Sequence, residues 1–306
     1  MTQNLKAIER AFCRIEGAYA PNTLRAYYAD ANAFVHWCAK QNLEPFPVSS
    51  HSLHDYIEFM KADLRYSTIR RRISSLRRVN KILGHEDQTQ TEEIYLAIRR
   101  LKRTKICAQR QAAGINHDLL LKMIQSQPDS ITGIRNRAIL SLGYDFLARR
   151  SELIALQASD RTFNSDGSLR GIIRRSKTDQ YGNGRLVFGS VRSAKLVRKW
   201  LNIKPESIQP LFCAINHEQC LNRAICGRSV NEIIKKGLIR VKKTTKPSDV
   251  DVSGHSLRVG AAQDLLIKGF DMAAIMRAGG WSSTQTVSKY LKFSQHNIWE
   301  DPNADL

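Results

Sequence analysis

The chain has 306 residues, with 48 Lys and Arg against 28 Asp and Glu, for a formal charge of +20. That length predicts two domains with enough buried surface to need no disulfide staples, and the basic excess in both halves points to a polyanionic partner. Membrane-surface binding is the competing reading, but no apolar run approaches the ~18 residues of a spanning helix and Met1 leads into a polar segment, so no membrane partner is expected.

Residues 2–15 read as a short amphipathic helix with Leu5, Ile8, Phe12 and Ile15 on one side. Thr23 is placed to cap a longer helix to about residue 40, with Leu24, Tyr27, Ala31, Phe34 and Trp37 or Cys38 inward. A turn at Pro45 and Pro47 leads to a third helix, roughly 52–63, that turns Leu53, Tyr56, Ile57 and Met60 inward. The stretch 67–84 follows, capped by Ser67 or Thr68 and stopped by Gly84. One of its faces carries Ile69, Ile73, Leu76, Val79 or Asn80, and Leu83. Around the rest stand Arg70, Arg71, Arg72, Arg77, Arg78 and Lys81, with Ser74 and Ser75 short enough for close approach and almost no acids to offset the arginines. A solvated basic face is the plain reading; insertion into a DNA major groove is the favoured one, with these residues as contacts. A fifth helix, 91–105, closes an all-helical N-terminal domain at residues 1–107, and 108–116 reads as a basic interdomain linker.

The second half opens with two helices by period, 116–125 and 131–144. In Arg149-Arg150-Ser151-Glu152, Arg149 and Glu152 stand at i and i+3, where a carboxylate orients a guanidinium and leaves its far edge open. Between 161 and 189 the period becomes strand-like: RTF, SLRGIIR and GRLVFG, separated by Asn-Ser-Asp-Gly and Tyr-Gly-Asn-Gly turns, predict a small antiparallel sheet. Lys177 sits on the connection between the last two strands. After an amphipathic helix over 190–202 come Cys213, Cys220 and Cys226, with His217 among them. Their spacings of seven and six are too loose for structural zinc, and with Cys13, Cys38 and Cys107 they form no C-x-x-C pair. Reduced thiols in a cytoplasmic protein are expected, with no metal. A Ser229-x-x-Glu232 capping box opens a helix to about 237, and Lys242, Lys243 and Lys246 follow as candidate phosphate contacts in a polar loop.

Residues 254–290 read GHSLRVGAAQDLLIKGFDMAAIMRAGGWSSTQTVSKY. Ser256 is placed as the N-cap of a helix to about 268, with His255 and Arg258 three apart at its positive end, where anions bind well. A short second helix, 271–278, ends at Gly279-Gly280 just before Trp281, whose indole N–H can only donate. Ser282 or Ser283 caps a third helix carrying Tyr290. His-x-x-Arg, then Trp, then Tyr nine residues later resembles the C-terminal signature of the tyrosine recombinases, the phage-integrase family. Trp281, where most members carry His, and the SGHSLRVGAA wording resemble the Cre-like members more than the Xer type.

The resemblance implies a mainly α fold: a helical core-binding domain, then a mixed α/β catalytic domain over 117–306 with a small antiparallel sheet, closing as a C-shaped clamp on DNA. It makes Arg149 and Arg258 the catalytic arginines, Glu152 the supporting acid, Lys177 the mobile catalytic lysine on its hairpin, and Tyr290 the nucleophile, with His255 and Trp281 completing the set. Such residues hold the nonbridging phosphate oxygens, lower the cost of deprotonating tyrosine and protonate the leaving 5′-oxygen, so no metal, cofactor or ATP is called for. The implied partners are double-stranded DNA recombination sites and a homotetramer on two of them, exchanging strands through a Holliday junction. A tail after Tyr290 presenting Ile298 and Trp299 is expected to dock on a neighbouring protomer, with packing on its own catalytic domain as the alternative. Type IB topoisomerase activity and a catalytically idle DNA-binding regulator are the rival readings.

Overall fold

A computed structural model of the chain describes residues 2–105, 112–176, 179, 181–243 and 251–292. Lys177, Lys246 and the tail expected to dock through Ile298 and Trp299 lie outside the described residues. The chain falls into two units, Met1–Arg110 and Gln111–Leu306.

The first unit is built from α1 (Thr2–Arg14), α2 (Pro21–Lys40), α3 (Ser50–Asp63), α4 (Tyr66–Ile82) and α5 (Glu92–Thr104). Their apolar stripes meet in a core of Phe34, Trp37, Leu53, Tyr56, Ile57, Met60, Ile69 and Leu76, each buried side chain contributing roughly 1.5–3 kcal/mol before ordering costs. Ile8 of α1 joins Ala31, Val35 and Val79 in a smaller cluster. Two helix starts differ from the sequence reading. In α2, Pro21 supplies a first-turn φ by itself, so Ala20 stands at the N-cap without a side-chain bond and Thr23 lies inside the helix. In α4 the N-cap is Arg65, again without a side-chain bond, and Ser67 and Thr68 are already helical. Ser49 caps α3 and Thr91 caps α5, each hydroxyl accepting a first-turn backbone N–H.

The second unit begins with α6 (His117–Gln125), α7 (Ile131–Asp145) and α8 (Arg150–Ala155), then β1 (Arg161–Phe163), β2 (Leu169–Ile173) and β3 (Arg185–Gly189). These strands form the expected antiparallel sheet in the order β1-β2-β3, with Ile172 opposite Leu186 and Ile173 opposite Arg185. After α9 (Val191–Leu201) comes an unexpected hairpin, β4 (Cys213–Asn216) and β5 (Gln219–Ala224), which carries Cys213 and Cys220 on its strands. Its turn puts His217 and Glu218 at φ of 44° and 61°, a left-handed conformation reached without the Asn-Gly type of signal that announces hairpins. Then follow α10 (Gly227–Lys242), α11 (Ser256–Ile267), α12 (Met272–Gly279) and α13 (Thr284–Leu291).

Two further features of the second unit depart from what the sequence suggests. The thiol of Cys226, not Ser229, caps α10, and the helix runs through Gly237 because that position faces Met123, whose Cε would lie 3.0 Å from an added Cβ. Within the stretch read as linker, the fully buried Ile115 donates its N–H to the Ser256 carbonyl at 3.0 Å, and Ala113 donates to Asp251 at 3.1 Å. Residues 113–115 are thereby fastened to the second unit at the start of α11. Among the described residues no helix is long and apolar enough to cross a membrane.

Candidate active site

The site begins where α7 ends. Leu147 adopts φ 45°, which turns the chain sharply and leads into Arg149, the N-cap of α8. The Arg149 N–H donates to Glu152 Oε2 at 2.9 Å while its Nη1 donates to Oε1 at 2.6 Å, so one carboxylate fixes both backbone and guanidinium. Glu152 is 2% exposed. Burial works against its charge, yet the Arg149 hydrogen bonds and the guanidiniums of Arg149 and Arg185 outweigh it and hold the carboxyl below its usual range.

Arg258 lies one turn into α11 and is fully buried. Its Nη1 donates to the Leu147 carbonyl, while Nε and Nη2 have no hydrogen-bond partner. Burial, then the Arg149 charge, depress its proton affinity, but a guanidinium remains protonated at neutral pH. Its Cζ sits 3.9 Å from the ring centroid of Trp281. Trp281 follows α12 directly: Gly280 takes the left-handed C-cap position at φ 63°, and at Gly279 an added Cβ would come within 1.9 Å of the indole. The Gly-Gly pair thus stops the helix and admits the ring. The Trp281 Nε1 is buried and, like the two Arg258 nitrogens, has no partner. Buried donors of this kind are costly unless an acceptor is brought to them.

Tyr290, on α13, places its hydroxyl within hydrogen-bond distance of His255 Nε2, at 2.6 Å, with ring centroids 4.9 Å apart and 5.4 Å from tyrosine to Trp281. Burial, then the charges of Arg258 and Arg149, push His255 down to about 4. It is therefore neutral near pH 7, and in the tautomer that carries its proton on Nδ1 the Nε2 lone pair accepts from the phenol. His255 itself is the N-cap of α11, without a side-chain bond; Ser256, expected there, is the first helical residue, its Oγ accepting from the Ser253 N–H at 3.0 Å.

Six of the seven expected catalytic residues are thus brought together: Arg149, Glu152, His255, Arg258, Trp281 and Tyr290. Two participants were missed. Arg185 opens β3 and reaches Glu152 Oε2 with Nη2 at 3.1 Å, and the Leu147 carbonyl receives Arg258. Strand alternation carried a signal for the first: Arg185 shares the inward phase with Val187 and Gly189, and an inward charge requires a partner.

The basic residues of α4 are less free than the sequence suggested. Asp30, 3% exposed, pairs with Arg71 and, at 3.7 Å, with Arg72, and accepts from the buried Ser75 at 2.7 Å. Arg72 also donates to Tyr56. Asp87 lies 3.6 Å from Arg77 and 3.7 Å from Lys81, and Arg78 stacks on and bonds to Tyr19. Acids outside the helix therefore pair with four of these cations, correcting the expectation of an unopposed basic face, and Ser75 lies inside. Arg70 and Ser74 are exposed, as are Lys242 at the end of α10 and Lys243 at its left-handed C-cap.

The site thus gathers a histidine at a tyrosine hydroxyl, guanidiniums and unpartnered buried donors, an arrangement suited to binding an oxyanion such as a phosphate. The phage integrase family model matches residues 115–296, and the model of the phage integrase N-terminal SAM-like domain matches 11–87. The chain belongs to the phage integrase family and is a tyrosine-type, site-specific DNA recombinase. It is 28% identical over 302 residues to the integrase/recombinase xerD homolog of Selenomonas ruminantium, covering 94% of this chain and 86% of that protein. It is 25% identical over 293 residues to the recombinase cre of Escherichia phage P1, covering 90% and 85%. Xer-type and Cre relatives are thus similarly distant. Among solved structures, XerH bound to its difH substrate before cleavage shares the fold at a TM-score of 0.66 with 17% identity, over 94% of this chain and 81% of that one. A lambda integrase dimer bound to a core site does so at 0.62 with 14% identity, over 95% and 96%.

Proposed function

We propose that Tyr290 is the nucleophile of a DNA strand exchange that proceeds without metal or ATP. The observation that carries this reading is the Tyr290 hydroxyl bonded to a neutral His255 at 2.6 Å, beside the unpartnered donors of Arg258 and Trp281. A phosphodiester repels an incoming nucleophile and leaves as a poor alkoxide. Arg149, Arg258 and the Trp281 N–H hold the nonbridging oxygens as charge builds in the pentacoordinate transition state. His255 Nε2 takes the phenolic proton as the Tyr290 oxygen bonds to phosphorus and the bond to the 5′-oxygen breaks. Lys177, by resemblance, gives its proton to that 5′-oxygen, a role typically worth about 10²- to 10⁴-fold. The 3′-phosphotyrosyl link retains the energy of the broken bond, so another strand's 5′-hydroxyl can reverse the step.

Two such exchanges, staggered through a Holliday junction in a homotetramer on two DNA sites, make the complete reaction. In this reading the exposed Arg70 and Ser74 meet base edges, and Lys242 and Lys243 track phosphates on cytoplasmic DNA. The test is a duplex nicked beside the scissile phosphate, so that the freed 5′ fragment diffuses away and the adduct accumulates. The wild type is expected to form a covalent protein–DNA adduct. Tyr290→Phe is expected to bind equally and form none; an adduct from that variant refutes the assignment.

A further inference from the structure

The chemistry above gives Arg185 no task, yet this one side chain is bonded to three separate parts of the site. Its Nη2 donates to Glu152 Oε2 at 3.1 Å and reaches the Phe146 carbonyl at 3.5 Å, and its Nη1 donates to the Ala278 carbonyl at 2.6 Å. Each contact lies one step behind a group expected to touch the phosphate. Glu152 holds Arg149. Phe146 precedes Leu147, whose carbonyl receives Arg258. Ala278 lies in the last turn of α12, three residues before Trp281, where a cation also suits the helix dipole.

The surroundings are shaped to admit this guanidinium. At Gly280 an added Cβ would lie 2.7 Å from both Cδ and Nε of Arg185, so the glycine lets the arginine run flat along the backbone that leads into Trp281. The Arg185 side chain is 16% exposed and its Nε has no hydrogen-bond partner. Burying a second guanidinium beside Arg149 opposes its charge, and Glu152 already has a bidentate partner. Neutralising Glu152 is therefore not what calls for Arg185. A planar fork, however, can span three acceptors at fixed angles, which a lysine cannot.

We infer that Arg185 is a positioning residue that fixes Arg149, Arg258 and Trp281 at the mutual spacing of one phosphate, and so acts on the nonbridging oxygens rather than on the leaving group. The inference rests on the function proposed above. It competes with one specific alternative: β3 continues the hairpin expected to carry Lys177, so Arg185 would instead serve protonation of the 5′-oxygen.

A substrate with sulfur in place of the bridging 5′-oxygen separates the two, because a thiolate leaves without a proton. Single-turnover cleavage of nicked oxygen and sulfur substrates is compared in wild type, Arg185→Met and Arg185→Lys, alongside DNA affinity and the ¹H–¹⁵N signal of the Trp281 indole. Misaligned donors are expected to slow Arg185→Met at least ~10-fold on both substrates. Affinity should stay within about threefold because no phosphate contact is removed. The Trp281 signal is expected to shift in both variants, and lysine to leave most of the deficit in place. Recovery of Arg185→Met on the sulfur substrate, full activity of Arg185→Lys, or an unmoved Trp281 signal each overturns the inference. Should the methionine variant fail to fold, the lysine variant carries the same comparison. A wild type that forms no adduct refutes the proposed function instead, and the Trp281 signal in Arg185→Lys still reports on positioning.

Discussion

Trp281 combines two roles that substitution can separate. Its ring is 7% exposed, stacks on the Arg258 guanidinium at 3.9 Å and lies 5.4 Å from Tyr290, while its Nε1 is a buried donor without a partner. Trp281→Phe keeps an aromatic face and removes the donor. If the N–H serves a nonbridging oxygen in the transition state, its loss is worth about 10²- to 10³-fold in cleavage. The ring contributes otherwise: a desolvated cation–π contact is worth about 2 kcal/mol, most of which phenylalanine retains. Trp281→Ala removes ring and donor together and is expected to cost stability as well, on the order of 3–5 kcal/mol. The assay is single-turnover adduct formation on the nicked duplex beside thermal unfolding. Expected are a cleavage loss of about 10²-fold in Trp281→Phe with little change in melting, and partial recovery in Trp281→His, which restores an N–H. Wild-type cleavage by Trp281→Phe would show that the indole is packing only.

Arg149→Ala and Arg258→Ala are each expected to lower cleavage at least ~10²-fold while changing DNA affinity far less than losing several phosphate contacts would. A matched fall in both, read by filter binding beside the cleavage assay, would reduce these arginines to anchors. Glu152→Gln leaves Arg149 and Arg185 facing an uncharged amide and should destabilise the fold by about 3 kcal/mol; an unchanged melting curve would contradict the role assigned to this carboxylate. His255, pushed down to about 4 from 6.5, stays neutral in the folded state while the unfolded chain takes up a proton. Its contribution is present in full above pH 6.5 and falls away toward pH 4, so the wild type should lose melting temperature across that window faster than His255→Gln. Parallel curves for the two proteins would refute the shift.

The sequence made the helices and the three-stranded sheet legible because their apolar periods are regular and their turns use Gly, Asn and Asp. What it concealed was set by contacts between distant segments. Gly237 reads locally as a stop, but tight packing on Met123 favours it inside α10. The hairpin at 213–224 turns on His217 and Glu218, residues with no preference that announces a left-handed turn. Asp30 and Asp87 neutralise arginines of α4 from outside that helix, so its apparent surplus of charge could not be judged from the helix alone.

In the site, the residues with one-letter signatures were legible and the framework behind them was not. Arg149 and Arg185 pair with a single buried carboxylate, Glu152, and Arg258 lies close enough to feel all three charges, so these groups carry more positive charge than the one carboxylate neutralises. That imbalance accounts for two features at once. Together with burial it strips the proton from His255, leaving Nε2 as the acceptor for the Tyr290 hydroxyl. It also opposes the packing of guanidiniums side by side: Glu152 holds Arg149 and one arm of Arg185, and backbone carbonyls at Phe146, Leu147 and Ala278 take up further N–H groups of Arg185 and one of Arg258. Those carbonyls depend on the chain path and not on side-chain identity, except where Gly279 and Gly280 clear the way for Trp281 and Arg185. A phosphodiester supplies the missing negative charge and the missing acceptors together, which is why a site this costly to assemble in isolation suits a substrate that arrives with both.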